Sequence, residues 1–175
     1  MQEDVKFKIG NSAIGRVLVA RTHQGLCAVL MDNDEDALMN ELRRRFPNAS
    51  VRRDDDGVRT LTDAVVSLID GRSVAYDAPL DLRGTPFQQQ VWQELRRIPA
   101  GTTASYTDVA QRIGRPRSVR AVAQACGANP LAVVVPCHRV IGRDGAMTGY
   151  RWGVERKRFL LEHECARASE SVAGD

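Results

Sequence analysis

The chain has 175 residues and a formal net charge of +3, with 43% hydrophobic and 27% charged residues. A chain of this length can bury roughly 70% of its unfolded surface, in one domain or two small ones, without disulfides or metals. Its longest apolar runs, such as Leu131 to Val135, are too short to span a bilayer. The composition therefore excludes a transmembrane protein and predicts a folded protein with no membrane partner.

The cysteines indicate the cellular compartment. The chain contains no CxxC pair, which argues against a zinc knuckle, and it has no apolar signal segment that would precede a secreted disulfide framework. We therefore expect a cytoplasmic protein. The four cysteines are Cys27, Cys126, Cys137 and Cys165.

Charge is distributed unevenly along the chain. Residues 1–83 carry 12 basic and 14 acidic side chains, whereas residues 84–175 carry 13 basic and 8 acidic ones. Arginine supplies 22 of the 25 basic residues, and its planar guanidinium group suits phosphates and bases. The second half is thus predicted to meet a polyanion, although a solubilising surface would give the same pattern.

The first half contains both strand and helix patterns. Helical spacing predicts one helix that is capped by Asp32 or Asn33 and stopped by Pro47, and a second over residues 61–69. Residues 72–84 have little periodicity and are predicted to be a linker. The strands, which read as a meander, are predicted within residues 5–9, 14–20 and 26–31.

The second half is predicted to be mostly helical. Thr85 begins a capping box with proline at the first helical position, and the helix it opens is predicted to extend through Arg97. Thr107 is predicted to cap a short helix that ends at Gly114, and another helix is predicted from about residue 117 to 126. Two short helices around a turn that contains glycine are a helix-turn-helix candidate, although many proteins that bind no DNA contain such a pair.

The segment around Cys137 carries the chemistry. An apolar strand is predicted over residues 131–135, and Cys137, His138 and Arg139 follow it. Neighbouring cations lower the pKa of a thiol, which favours a nucleophilic thiolate at Cys137. Adjacent side chains of an extended chain point to opposite faces, so we expect a water to relay the proton to His138. The other three cysteines are predicted to be structural.

In a projection down the axis of the last predicted helix, Glu164 falls on the apolar face, at an angle between those of Leu160 and Leu161. A carboxylate in that position needs a partner. His138 is one candidate, because a histidine that acts as a base usually needs a group to orient it. Lys157 is the other, if it does not simply extend to the surface. The spacing alone leaves both open.

Six motifs resemble those of the O6-alkylguanine-DNA alkyltransferases, most closely the carboxy-terminal half of the bacterial adaptive-response proteins. The resemblance is dense from about Leu82 to Glu164 and looser before it. In order, the motifs are Phe87-Gln88-Gln89-Gln90-Val91-Trp92, Ser105-Tyr106, Arg120-Ala121-Val122, Asn129-Pro130, Pro136-Cys137-His138-Arg139-Val140 and Gly149-Tyr150-Arg151-Trp152-Gly153.

This resemblance implies a two-domain α/β fold. The first domain, residues 1–80, would be small and ribonuclease-H-like. The second, residues 81–168, would be mostly helical, of the winged-helix type, with the helix-turn-helix and the active site. Residues 169–175 would form a flexible tail. The sequence does not include the zinc and regulator domains of the adaptive-response proteins, so the resemblance gives no support for transcriptional activation.

The resemblance also implies an activity. A monomer would bind double-stranded DNA that contains O6-alkylguanine, through the minor groove, and flip the damaged nucleotide. The alkyl group of guanine, mainly methyl, or that of O4-alkylthymine, would then pass irreversibly to Cys137 without a cofactor. Each molecule would act once. No metal is expected, because Cys27 and His23 are too few ligands for the amino-terminal zinc of some relatives.

Particular residues take roles by the same resemblance. His138 and Glu164 would form the proton relay to Cys137 through a water, and Asn129 would occupy the hinge before the active site. Arg120 would fill the space left by the flipped base. Apart from the resemblance, the small size of Ala121 beside it would allow close approach to the groove, although tight helix packing or helix propensity also explains a small residue there. The guanine pocket would be lined by Tyr106, Val140, Tyr150, Arg151 and Trp152, of which Tyr106 would also crowd the phosphate.

Two other functions are compatible with parts of the sequence. A binder of alkylated DNA that does no chemistry would share the helix-turn-helix, but Cys137 argues against it. A cysteine hydrolase could use Cys137, His138 and Glu164 on acyl substrates. An adjacent Cys-His pair is poor geometry for direct proton transfer, however, and no oxyanion-hole motif is visible.

Overall fold

The computed structural model describes residues 1–73, 75–147 and 149–173. Its contacts divide the chain into two units, one of Met1–Arg83 with Pro130–Val134 and the other of Gly84–Asn129 with Val135–Asp175. A sheet and helices form the first unit and mainly helices the second, so the predicted two-part α/β architecture is confirmed. The predicted domain limits at residues 80 and 168 stay predictions.

The first unit is built on a four-stranded sheet in the order β3-β2-β1-β4. The predicted meander is confirmed, because β1 pairs antiparallel with β2 and β2 antiparallel with β3. The fourth strand pairs parallel with β1 and was not predicted, since it is short and half of it is exposed arginine. The elements of this unit are β1 (Asp4–Ser12), β2 (Gly15–Arg21), β3 (Leu26–Met31), α1 (Glu35–Arg45), β4 (Ser50–Arg53) and α2 (Arg59–Ile69).

Helix α1 begins at a different N-cap from the two that the sequence predicted. The N-cap is Asp34, whose carboxylate accepts a hydrogen bond of 2.9 Å from the amide of Asp36. Asp32, one of the predicted caps, instead accepts from the amide of Asp34. The predicted caps were therefore two and one residues early, because several consecutive Asx residues can each serve as a cap.

The predicted linker is wrong in its last part, because residues 79–81 pair with the edge of β3. The amide of Leu26 donates to the carbonyl of Pro79 at 3.0 Å, and the amide of Asp81 donates to the carbonyl of Leu26 at 2.7 Å. Thr22 also donates to the Asp81 carboxylate. A buried strand edge needs partners for its backbone groups, and a proline can still accept there.

The second unit begins with the predicted capping box. Thr85 and Gln88 cap each other's backbone, and α3 ends at Leu95, two residues before the predicted end. The next helix, α4, is capped by Ser105 with Asp108, two residues before the predicted cap, Thr107. The elements of this unit are α3 (Pro86–Leu95), β5 (Ala104–Ser105), α4 (Tyr106–Arg112), α5 (Val119–Gly127), a 3₁₀ turn (Cys137–Arg139), β6 (Val140–Ile141) and α6 (Val154–Ala173).

The strand predicted over residues 131–135 is wrong. Leu131 forms an isolated bridge with Val29, and the chain then turns through Val133, which has a φ of 68°. A β-branched residue in the left-handed region costs of order 1–3 kcal/mol, so buried packing must hold it there. Val133 is 4% exposed. A short apolar run cannot by itself distinguish a strand from a buried turn.

The last helix, α6, extends through Ala173. It therefore includes residues 169–173, which were predicted to be a flexible tail, while Gly174 and Asp175 lie outside the described residues. No helix in the described part of the chain is both long and apolar enough to cross a membrane.

Candidate active site and nucleic-acid interface

The Cys137 thiol is the first side chain of the 3₁₀ turn and is 4% exposed. The side-chain amide of Asn129 donates to the carbonyl of Val135 at 2.8 Å and to Sγ of Cys137 at 3.3 Å. Burial raises the pKa of Cys137 to about 11, against the opposing effects of the Asn129 hydrogen bond and the charge of Lys157. The resting thiol is therefore protonated at neutral pH, and a nucleophilic thiolate requires a base.

The backbone around Cys137 differs from the extended chain that was expected. Residues 137–139 make a tight turn in which the amide of Arg139 donates to the carbonyl of Pro136 at 3.0 Å. Side chains in such a turn lie about 120° apart, so three consecutive residues point in three directions. Cys137 and His138 consequently do not lie on opposite faces of a strand.

His138 and Glu164 are in direct contact, with 2.8 Å between Nε2 and Oε1. The histidine is fully buried and the carboxylate is 5% exposed. Burial lowers the pKa of His138 despite the nearby carboxylate, so the imidazole is neutral. Burial alone would raise the pKa of Glu164, but hydrogen bonds from His138 and Arg139 outweigh it and lower the pKa to about 2.

These charges determine which ring nitrogen can accept a proton. An ionised Glu164 accepts from Nε2, so Nε2 carries the ring proton and Nδ1 keeps its lone pair. Nδ1 is buried and makes no hydrogen bond within residues 1–73, 75–147 and 149–173. The pair is therefore a neutral base whose imidazolium form the carboxylate would stabilise.

Arg139 makes contacts in this site that the sequence did not predict. It was expected to lower the thiol pKa, but its guanidinium group instead pairs with both oxygens of Glu164, each at 2.9 Å. A third bond of 2.7 Å runs from Nη1 to the carbonyl of Ile98. The buried position of Glu164 was a possible signal, because a buried carboxylate favours the two-pronged geometry of arginine.

We expect Glu164→Gln to destabilise the protein by about 3 to 5 kcal/mol, because it leaves the buried Arg139 without its anion. The pKa of Glu164 falls from 4.5 to about 2 on folding, so its extra stabilisation is complete above about pH 4.5 and is lost as the pH falls towards 2. Urea unfolding at several pH values should show the gap between wild type and variant closing in that range. Glu162→Gln, an exposed change on the same helix, is the control. A gap that is constant with pH would contradict this assignment.

Lys157 neither reaches the surface nor pairs with Glu164, contrary to both sequence-based alternatives. The side chain is fully buried, and Nζ donates to the carbonyl of Val140 at 2.7 Å. Burial lowers the pKa of this lysine. Both Glu164 oxygens are already occupied by His138 and Arg139.

The residues expected to line the guanine pocket all belong to the second unit. Parallel pairing of β5 with β6 sets Ala104 beside Val140, which brings the start of α4, at Tyr106, close to Val140. Tyr106 is half-buried, and burial raises its pKa to about 12.

Tyr150 and Trp152 form an edge-to-face pair with 5.4 Å between ring centroids, and both are buried. The exposed Arg151 lies 5.9 Å from the centroid of the Trp152 ring. The Tyr150 hydroxyl is buried and makes no hydrogen bond to any part of the chain that the structure describes. A buried hydroxyl of this kind is suited to a ligand.

The helix pair predicted as a helix-turn-helix is present, because α4 packs against α5. Gly114 ends the first helix in the left-handed conformation, with φ +73°. Ala121 is half-buried on α5 and follows the exposed Arg120 in sequence. The pair and its turn carry four exposed arginines that form no ion pair within the described ranges: Arg112, Arg115, Arg117 and Arg120. This surface is suited to phosphates.

Comparison with known proteins defines the class. Residues 86–166 match the family model described as 6-O-methylguanine DNA methyltransferase, DNA binding domain. The inducible methylated-DNA--protein-cysteine methyltransferase of Bacillus subtilis is 41% identical over 153 residues, which cover 87% of this chain and 86% of the relative. The chain belongs to the methylated-DNA--protein-cysteine methyltransferase family, which confirms the resemblance found in the sequence.

Two further comparisons agree. The regulatory protein ada of Salmonella typhimurium is 49% identical over 163 residues, or 93% of this chain and 46% of that protein. The chain thus spans about half the length of that relative. The crystal structure of Mycobacterium tuberculosis OGT in complex with DNA superimposes with a TM-score of 0.77 at 38% identity, and the match covers 94% of each chain.

Proposed function

We propose that this protein repairs DNA by direct, irreversible transfer of the O6-alkyl group of guanine, mainly methyl, or of O4-alkylthymine, to Cys137. The observation that carries the proposal is a buried thiol, held by Asn129, in the 3₁₀ turn that also carries His138, whose free ring nitrogen can accept a proton. The named relatives and the DNA complex of a similar chain support the same activity. The partner is double-stranded DNA that contains the alkylated base.

The reaction begins with the proton of the Cys137 thiol. That proton moves, through a water, to Nδ1 of His138, and Glu164 stabilises the imidazolium that forms. The thiolate then attacks the alkyl carbon and forms a carbon–sulfur bond, while the bond from that carbon to O6 breaks and its electron pair stays on guanine. The proton taken from sulfur finally reaches guanine. The products are normal guanine and a thioether at Cys137.

The basic helix pair would present the DNA to this thiol. Arg120, exposed near the start of α5, would enter the minor groove and fill the space left by the flipped nucleotide, and the small Ala121 beside it would allow close approach. Extruding a base costs a few kcal/mol, and a stacked guanidinium group offsets part of that cost. The flipped guanine would occupy a pocket lined by Tyr106, Val140, Tyr150, Arg151 and Trp152.

Several finer features belong to the same proposal. The strand order of the first sheet, three antiparallel strands and one parallel, supports a ribonuclease-H-like domain. The packed pair α4 and α5 supports a winged-helix type for the second domain. All four cysteines are free thiols, as expected in a reducing cytoplasm. We infer a monomer that acts without a cofactor.

The proposal is tested with a duplex that contains one O6-methylguanine. After incubation we expect mass spectrometry to find one added methyl group on the peptide that contains Cys137, and the DNA to contain guanine. The tryptic peptide that contains Cys137, residues 121–139, also contains Cys126, so fragmentation of the peptide must show which cysteine carries the methyl group. Binding to the duplex without a methyl group on Cys137 would instead indicate a protein that recognises the damage and does no chemistry.

A further inference from the structure

Lys157 places its amine in the interior of the second unit. Its side chain is fully buried, and within residues 1–73, 75–147 and 149–173 its one hydrogen bond is to the carbonyl of Val140. No carboxylate pairs with it in any part of the chain that the structure describes. A buried cation without an anion costs several kcal/mol, so a fold that keeps one requires an explanation.

Lys157 lies against the turn that carries Cys137, because Val140, whose carbonyl accepts from Nζ, ends that turn and its amide donates to the carbonyl of Cys137. The charge of Lys157 lowers the pKa of Cys137 and of Cys126 against the effect of burial, and it also lowers the pKa of His138. Cys137 is the thiol that also accepts a hydrogen bond from Asn129. A negative charge in this region therefore falls on Cys137. The other groups that act electrostatically on these thiols or on Lys157 are Arg151 and Tyr106, with Tyr150 acting on Cys137.

We propose that Lys157 is a positioning residue for alkyl transfer, whose ammonium group, held by the Val140 carbonyl, stabilises the Cys137 thiolate at the moment the thiol proton leaves. His138 and Glu164 remove the proton, and Lys157 supplies the counter-charge for the anion that remains. Glu164 cannot cancel this charge, because Arg139 and His138 occupy its oxygens. The inference rests on the proposed function only in that Cys137 is the nucleophile.

Iodoacetamide tests this inference without DNA, because it reacts with thiolates and needs no base flipping. The variants are Lys157→Gln, which keeps a donor for the Val140 carbonyl but has no charge, and Lys157→Arg, which keeps the charge. Arg158→Gln removes an exposed cation from the next position and is the control. The rate of carbamidomethylation is measured at Cys137 by peptide fragmentation, across a range of pH, on proteins shown to be folded by circular dichroism.

An opposite charge within a few ångströms commonly shifts a pKa by 1–3 units, so Lys157→Gln should slow the reaction at pH 7.5 by about tenfold to a thousandfold and move its pH profile upwards. Lys157→Arg should recover most of the rate, and Arg158→Gln should not change it. A Lys157→Gln profile that matches wild type overturns the inference, as does an arginine variant as slow as the glutamine variant. If these results appear but no alkyl group is transferred from DNA, the proposed function fails, and what remains is that Lys157 stabilises the Cys137 thiolate.

The wild-type protein gives a second test that does not depend on any variant folding. The chain has three lysines, Lys6, Lys8 and Lys157, so ¹³C-lysine labelling gives three ε-carbon signals that can be told apart by their pH dependence. The inference requires Lys157 to be charged at pH 7.5. A Lys157 signal at the shift of a neutral amine at that pH overturns it.

Discussion

Cys137→Ala is expected to abolish alkyl transfer while leaving binding to the damaged duplex intact. The thiol is the acceptor atom in the proposed reaction, and alanine removes it from a site where the cysteine is already buried. In the wild-type protein, product should rise to one equivalent per protein and then stop, because the thioether has no visible group to reverse it. The measurement is a time course of repaired guanine at several ratios of DNA to protein.

Cys165→Ala is the matched control for that experiment, because Cys165 is an exposed thiol on α6. It should transfer one equivalent, as the wild type does. Product that continues beyond one equivalent per protein would refute the single-turnover reaction, and transfer by Cys137→Ala would show that another residue accepts the alkyl group.

Arg120→Ala is expected to slow repair of duplex DNA by about a hundredfold while changing the reaction with free O6-methylguanine base little. Only the duplex requires a base to be flipped, and replacing the lost stacking is worth a few kcal/mol, which converts to rate at about 1.4 kcal/mol per factor of ten. Arg120 is exposed at the second residue of α5 and forms no ion pair within the described residues. The measurement compares single-turnover rates on the two substrates.

Arg117→Ala is the matched control, an exposed arginine just before the same helix. A residue that only contacts phosphates should weaken binding and reduce its salt dependence without changing the rate for bound DNA. Equal losses on duplex and free base for Arg120→Ala would place Arg120 in the chemistry and not in base replacement.

Local patterns predicted much of the fold. Alternating apolar residues located the meander, and the Thr85 capping box located the start of α3. Helical periodicity placed Glu164 on a buried face, which the structure confirms. These features depend on residues close together in sequence, so short-range reasoning suffices for them.

The remaining features depend on contacts between distant residues. The predicted strand at residues 131–135 is a turn, because its conformation is set by packing and by pairing with Val29, and no local signal marks Val133 as left-handed. The sequence also left Lys157 and His138 as alternative partners for Glu164. In the structure Glu164 pairs with His138 and also with Arg139, 25 positions away, whereas Lys157 donates to the carbonyl of Val140.

The first unit cannot complete its backbone hydrogen bonds until a segment from the second half of the chain has been synthesised. Val29, in β3, donates to the carbonyl of Pro130 at 2.9 Å and accepts from the amide of Ala132, so this unit lacks part of its own backbone pairing until residue 134 has been made. At 5 to 20 residues per second, that segment follows Arg83 by roughly 3 to 10 seconds. A ribosome therefore finishes the first unit only as it reaches Cys137. A fragment that begins at Gly84 would keep Cys137 but expose the apolar segment that pairs with Val29.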